Sequence, residues 1–91
     1  MNARFSLGQV YSTPGALEAL NENSQDAIEL LNRHQSGDWG CLSDEDKREN
    51  EFSVDKELRI FSAYKLKDDT KIWVITEADR SSTTILLPSE Y

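Results

Sequence analysis

Residues 72–88 read IWVITEADRSSTTILLP, and this stretch decides the fold. Two runs within it, 72–76 and 83–87, are dense in β-branched and aromatic side chains, which favour strands. The polar residues 77–82 between the two runs are typical of a turn. The sequence therefore predicts a C-terminal β-hairpin that ends at Pro88, because proline cannot donate a hydrogen bond to a sheet.

Another strand is predicted just before the hairpin. Residues 58–66, LRIFSAYKL, alternate with a period of two, which indicates a strand with two different faces. One face carries Leu58, Ile60, Ser62 and Tyr64, and the other carries Arg59, Phe61, Ala63 and Lys65. A turn at 67–70 joins this strand to the hairpin in an antiparallel meander. Val10 and Tyr11 either add a short further strand or simply anchor the N-terminus.

The N-terminal half carries helix signals, beginning with a first helix at Thr13. Thr13 suits the N-cap because its hydroxyl can accept from a free amide one turn into the helix. Pro14 suits the first helical position, where no hydrogen bond is lost. The asparagines at 21 and 23 favour caps and turns, so they predict the end of this helix.

A second helix is predicted to follow at once, with Ser24 as its N-cap and Asp26 in its first turn. Gly37 can adopt the left-handed conformation that ends a helix. The expected buried face consists of Ala27, Ile28, Leu30 and Leu31. Together the two segments predict a helical hairpin over about 14–36.

The loop Gly37-Asp38-Trp39-Gly40 places an acid and an indole between two glycines. Glycine tolerates positive φ, so this loop can turn sharply on both sides of Trp39. In one interpretation Trp39 fills the gap between helices and sheet while Asp38 caps a backbone amide. In the other, Trp39 contacts a partner.

An acidic segment follows, and its first residues predict a short third helix over about 44–50, capped by Ser43. From Asp44 to Glu57 the chain has seven acidic and three basic residues, a net charge of −4. Such a run is usually a solvated face, and the alternative is a patch that a basic partner binds. The candidate partner-binding residues are Trp39, Asp44, Glu45, Asp46, Glu49 and Glu51.

Length and charge bound the class of protein. The chain has 91 residues, which predicts one domain spanning 1–91. Its net charge of −7 disfavours binding to nucleic acid and to anionic lipid, and favours a larger protein with a basic surface.

The expected location is a reducing cytoplasm. No apolar run approaches the roughly 20 residues of a membrane span, and the N-terminus has no apolar signal-peptide core. The single cysteine, Cys41, excludes an internal disulfide, and we interpret it as a small buried hydrophobe.

The residues give little support for metal or cofactor chemistry. One Cys and one His cannot form a structural zinc site, and calcium-loop and phosphate-loop spacings are missing, so we expect neither metal nor cofactor. One catalytic alternative remains, a metal-independent ribonuclease or toxin of the RelE-like or barnase-like layout. Its residues would be His34, Arg59, Glu77, Arg80 and Thr83, with Thr84 beside them.

Three motifs together carry a resemblance: TPGAL at 13–17, GDWG at 37–40 and WVITEADRSSTTILLPSEY at 73–91. The chain resembles a family of small bacterial proteins, labelled plasmid-related proteins, that are carried on plasmids and integrative mobile elements. The resemblance implies a bacterial cytoplasm and a mobile element's accessory genes, and it assigns no catalytic residue.

The predicted fold is therefore α+β, a helical hairpin and a short third helix packed on a meander of three or four strands. The predicted function is that of a small acidic accessory protein, without enzymatic activity, that binds a host protein. By analogy, the partner is a defence enzyme that acts on nucleic acid. A third alternative is a self-associating module that pairs an open sheet edge between copies, which would give a homodimer.

Overall fold

The computed structural model describes residues 3–91, and within them three α-helices accompany one four-stranded sheet. In chain order the elements are β1 (Gln9–Ser12), α1 (Pro14–Glu22), α2 (Ala27–Ser36), α3 (Asp44–Lys56), β2 (Ile60–Lys65), β3 (Lys71–Thr76), β4 (Ser82–Leu86) and the 3₁₀ helix η1 (Pro88–Glu90). The predicted α+β class is confirmed.

The sheet has the strand order β1-β4-β3-β2. Strands β2, β3 and β4 form the predicted antiparallel meander, in which Val74 lies between Ser62 and Ile85. Strand β1 pairs with β4 in parallel, with Gln9 opposite Ser82, so the sheet is mixed. Parallel pairing needs a long crossover, and here all three helices lie in the connection between β1 and the meander.

The core lies between one face of the sheet and the helices. The predicted alternation of β2 is confirmed for Ile60, Ser62 and Tyr64, each at most 1% exposed, whereas Leu58 precedes the strand and is 45% exposed. The remaining buried apolar cluster consists of Ala16, Ala19, Leu20, Leu30, Leu66, Ile72, Val74 and Ile85. Both N-terminal helices therefore pack on the same sheet face.

The cap of α1 is as predicted, and that of α2 is not. The Thr13 hydroxyl accepts from the amide of Ala16 at 3.3 Å. Ser24 instead adopts a left-handed φ of 51° in the turn after α1, so α2 begins later. Asp26 is the N-cap of α2 and accepts from the amide of Ile28 at 3.0 Å. Gly37 ends α2 with a φ of 91°, as predicted.

The expected buried face of α2 is partly wrong. Leu30 and His34, four residues apart, face the interior, and both are at most 1% exposed. Ile28 lies two residues, or about 200° of helical rotation, from Leu30, and it is 61% exposed. The interior face of α2 thus includes a histidine, which was not among the residues expected there.

Helix α3 continues six residues beyond its predicted end, to Lys56, because Asn50 binds the edge of the sheet. The Asn50 Nδ2 donates to the carbonyl of Phe61 at 2.5 Å, and its Oδ1 accepts from the amide of Phe61 at 3.1 Å. One side chain thereby satisfies the backbone groups that another strand would pair. In α3 the buried residues are Asn50 and Ser53, both polar.

The loop after α2 covers the next position on the same edge. The amide of Ala63 donates to the Trp39 carbonyl at 3.3 Å, and the Cys41 amide donates to the Ala63 carbonyl at 2.7 Å. This backbone pairing holds Cys41 beside the sheet edge with its side chain exposed, so the predicted burial of Cys41 is wrong. The edge of β2 is therefore closed at both Phe61 and Ala63.

Substituting Asn50 with alanine is expected to destabilise the protein although alanine is the better helix former. The amide and carbonyl of Phe61 would lose their partners, and we expect the free energy of unfolding in urea to fall by about 1–3 kcal/mol. The matched control is Arg48→Ala on the exposed side of the same helix, which should change it by less than about 0.5 kcal/mol. Equal losses in the two variants would contradict the proposed role of Asn50.

Candidate functional site

The acidic candidates lie mainly at the N-terminal end of α3. The Ser43 hydroxyl accepts from the Asp46 amide at 3.1 Å, so the predicted cap is confirmed. Asp44, Glu45 and Asp46 fill the first turn, where the helix dipole favours negative charge. Together with Glu49 they are exposed.

These carboxylates surround the helix end and do not form one line. Successive residues of an α-helix are about 100° apart, so Asp44, Glu45 and Asp46 leave the axis in three directions. Lys47 and Arg48 follow directly and interrupt the acidic surface. The arrangement is a cap of negative charge, without the regular linear spacing of a phosphate backbone.

Glu51 is engaged in intramolecular contacts. Its carboxylate accepts from both Nη atoms of Arg4, at 2.7 and 3.0 Å, and from Trp39 Nε1 at 2.9 Å. The bonds from Arg4 and Trp39 lower the pKa of Glu51. Glu51 therefore holds the N-terminal arm and the loop against α3, which sets it apart from the four other candidate acids.

Trp39 fills the interior gap and is only 4% exposed. Its ring lies 6.3 Å from that of Phe5 and 6.0 Å from that of His34, and the Asp38 carboxylate caps the Gly40 amide at 3.2 Å. This matches the first interpretation of the loop, and Trp39 offers no surface to a partner in this structure.

The exposed aromatic residue on the acidic helix is Phe52, which is 53% exposed. Phe52 was not among the predicted contact residues. The signal in the sequence was a lone aromatic residue within a run of charged residues. Phe52 lies on the side of α3 opposite Asn50, about 200° around the helix axis.

His34, the proposed proton-transfer group, belongs to a buried hydrogen-bonded chain. Its Nδ1 lies 2.6 Å from Ser62 Oγ and its Nε2 lies 2.9 Å from Thr76 Oγ1. Thr76 Oγ1 lies 2.7 Å from Thr83 Oγ1, which donates to the Leu7 carbonyl at 2.8 Å. We call these residues (Leu7, His34, Ser62, Thr76 and Thr83) the His34 chain.

The direction of the hydrogen bonds in the His34 chain fixes the histidine tautomer. A hydroxyl donates only one hydrogen bond, and that of Thr83 is used on Leu7, so Thr76 must donate to Thr83. Thr76 must then accept from Nε2–H of His34, which leaves Nδ1 to accept from the Ser62 hydroxyl. In residues 3–91 no buried side-chain polar atom lacks a partner.

Burial keeps His34 neutral. Loss of water around the ring, together with the nearby positive charge of Arg80, lowers the pKa of His34 to about 3. The ring is 0% exposed and both nitrogens are occupied, so it cannot exchange a proton with a bound substrate in this structure. His34 and Thr83 are brought together, but as part of the core.

The remaining members of the catalytic alternative lie around the β3–β4 turn. Arg80 has a φ of 61° and donates to four backbone carbonyls, which are those of Ser53, Leu58, Glu77 and Ala78, at 2.7–3.2 Å. Arg59 pairs with Glu77 at 3.8 Å and donates to the Tyr91 hydroxyl at 2.8 Å. These cations connect the turn to neighbouring segments and do not converge with His34 on an open cleft.

A separate cleft of about 320 Å³ lies on the sheet face opposite the helices. The residues around it are Arg59, Phe61, Trp73, Ile75 and Tyr91. Trp73 makes edge-to-face contacts with Phe61 at 5.0 Å and with Tyr91 at 5.7 Å. The sequence signal for this cleft was Phe61, which lies among charged residues on the predicted outer side of β2. The place of Tyr91 in the cleft could not be predicted in this way, because it depends on η1.

The described part of the chain has no cluster of three or more His, Cys, Asp or Glu side chains placed to hold a metal ion. Within residues 3–91, every helix falls short of the length and apolar content that a membrane crossing requires. Comparison with known proteins finds no matching family model, curated protein or solved structure.

The buried histidine predicts a loss of stability in mild acid. The unfolded chain takes up a proton near pH 6.5 and the folded chain does so only near pH 3, so stability is complete above pH 6.5 and falls as the pH decreases. Between pH 8 and pH 5 we expect a loss of about 2 kcal/mol in the free energy of unfolding.

Urea unfolding at several pH values measures this loss, with His34→Gln as the variant that should lack it. Because the chain has one histidine, NMR titration gives an independent readout in the wild type. The imidazole resonances should stay constant between pH 8 and pH 5, and a midpoint near 6.5 would contradict the buried neutral state.

Proposed function

We propose that the protein is a non-enzymatic binding protein that docks the acidic N-terminal half of α3 on a basic surface of a larger protein. The observation that carries the proposal is the exposure of Asp44, Glu45, Asp46 and Glu49 at the positive end of this helix. A helix end is a favourable position for such charge, so the cluster is held without help from a partner.

The way α3 is attached supports a role in binding. Its contacts with the body are mainly polar, through Asn50, Glu51 and the Ser53 carbonyl, which accepts from Arg80 at 3.0 Å. The outward side is therefore not required for the core. Phe52 supplies an exposed aromatic group there, of the kind that is enriched at protein interfaces.

The net charge of −7 favours a basic partner and accelerates its approach at low salt. Surfaces that bind nucleic acid are the common class of strongly basic protein surface. Together with the resemblance to proteins of mobile elements, this makes a host defence enzyme that acts on nucleic acid the proposed partner, in a bacterial cytoplasm. Binding would inhibit it by covering the surface that its substrate needs.

The ribonuclease alternative has less support. His34 is buried and neutral, and Arg59 and Arg80 are engaged with groups of the same chain. A negative surface also repels the phosphate backbone that a ribonuclease must bind.

The test is affinity capture from a bacterial lysate, at low salt and at several hundred millimolar salt, with the bound proteins identified by mass spectrometry. The amount of basic protein retained should fall at least tenfold in the variant that combines Asp44→Asn, Glu45→Gln, Asp46→Asn and Glu49→Gln. High salt should have a similar effect on the wild type, because exposed charges are screened.

The matched control neutralises four exposed acids elsewhere, Glu18→Gln, Glu22→Gln, Glu29→Gln and Asp69→Asn, and thus changes the net charge by the same amount. It should retain the same proteins as the wild type. Equal retention by the α3 variant and the wild type, or capture that salt does not change, would contradict docking through α3. Circular dichroism checks that each variant is folded.

A further inference from the structure

The two edges of the sheet differ in how their outward backbone groups are covered. The β2 edge is closed by Asn50 and by the Trp39–Cys41 loop, as described above. Strand β1 is the last strand in the order β1-β4-β3-β2, so within residues 3–91 no further strand follows it.

The hydrogen-bond register shows which groups of β1 point outward. The amide of Gln9 donates to the carbonyl of Ser81, the residue before β4, at 3.0 Å. The amide of Thr13 donates to the carbonyl of Ile85 in β4, also at 3.0 Å. Alternate residues of a strand point their backbone groups to opposite sides. The amide and carbonyl groups of Val10 and Ser12 therefore face away from β4.

The composition of this edge lacks the usual protection. Natural edge strands are guarded by short length, lysine, proline, bulges or inward charges, because an open edge pairs with other chains, and β1 itself has only the short length, four residues. Residues 5–17 contain no charged side chain, although 30% of the whole chain is charged. Val10 and Tyr11 are 46% and 57% exposed.

We propose that β1 is a self-association edge, which pairs antiparallel with β1 of a second copy across a two-fold axis at Tyr11. Val10 of each copy exchanges two hydrogen bonds with Ser12 of the other, which gives four bonds. The two Tyr11 residues form the central non-hydrogen-bonded pair, with Cα atoms about 4.5 Å apart. The product is one continuous sheet of two four-stranded halves.

The backbone register and the absence of charge at this edge make a second copy the proposed occupant. Two molecules of net charge −7 repel each other, so they associate best through a segment that brings no acids together. Residues 5–17 are such a segment, and the outward groups of Val10 and Ser12 are complementary to themselves in antiparallel orientation. This surface is distinct from α3, so pairing does not depend on the proposed function.

The size of the edge sets the strength of the dimer. Four residues of strand are roughly 13 Å long. The area that they bury lies well below the roughly 1,200 Å² of stable interfaces, so the dimer forms reversibly at high micromolar to millimolar concentration.

The test is sedimentation velocity of the full chain from micromolar to millimolar concentration, in which the wild type should shift from monomer to dimer. Tyr11→Glu and Tyr11→Lys should each remain monomeric, because like charges would lie directly opposite across the axis. An equimolar mixture of the two variants should associate again, because the facing charges are then opposite.

Two further variants separate the edge from the rest of the surface. Val10→Pro removes an outward amide that β4 does not use, and it should abolish the dimer. Leu58→Glu adds the same charge as Tyr11→Glu at another exposed apolar residue, and it should associate like the wild type. A monomeric wild type at millimolar concentration, or a dimer that survives Tyr11→Glu or Val10→Pro, would overturn the proposal.

Discussion

The rest of the structure depends on the His34 chain, the buried series of hydrogen bonds that crosses the inner face of the sheet. It begins at Ser62 on β2, passes through His34 of α2 and Thr76 of β3, continues to Thr83 of β4, and ends at the Leu7 carbonyl. Each group between the two ends of the series accepts one hydrogen bond and donates the next in the same direction. The register of the strands, the rotation of α2 and the path of the N-terminal arm are therefore specified together. In a 91-residue protein with a small core, this polar constraint contributes specificity that apolar packing alone supplies poorly.

The local elements could be predicted from the sequence, because they depend on local physical chemistry. Alternation identified β2, β-branched content identified β3 and β4, and Thr13, Ser43 and Gly37 ended or began helices as expected. The error at Ser24 has a local cause, a left-handed residue that delays the start of α2. The error at Ile28 arises because this residue lies about 200° around the helix from the buried Leu30.

The missed features depend on residues far apart in the chain. The parallel pairing of β1 joins Gln9 to Ser82, and no local pattern encodes such a pair. The length of α3 depends on Asn50 reaching Phe61, and the burial of His34 depends on hydroxyls from two strands, those of Ser62 and Thr76. For the candidate site, composition predicted the exposed acids correctly, but it could not show that Glu51 and Trp39 are engaged with each other.

The Asn50 side chain has a consequence for the ageing of the protein. Hydrolysis of its amide to a carboxylate would replace the donor that faces the Phe61 carbonyl by a second acceptor, and the two oxygens would repel each other. The β2 edge would then be open at Phe61, whereas the Trp39–Cys41 loop would still cover it at Ala63. Deamidation of this one residue would thus expose backbone groups on an edge that is otherwise closed, and unpaired edge groups promote association with other chains.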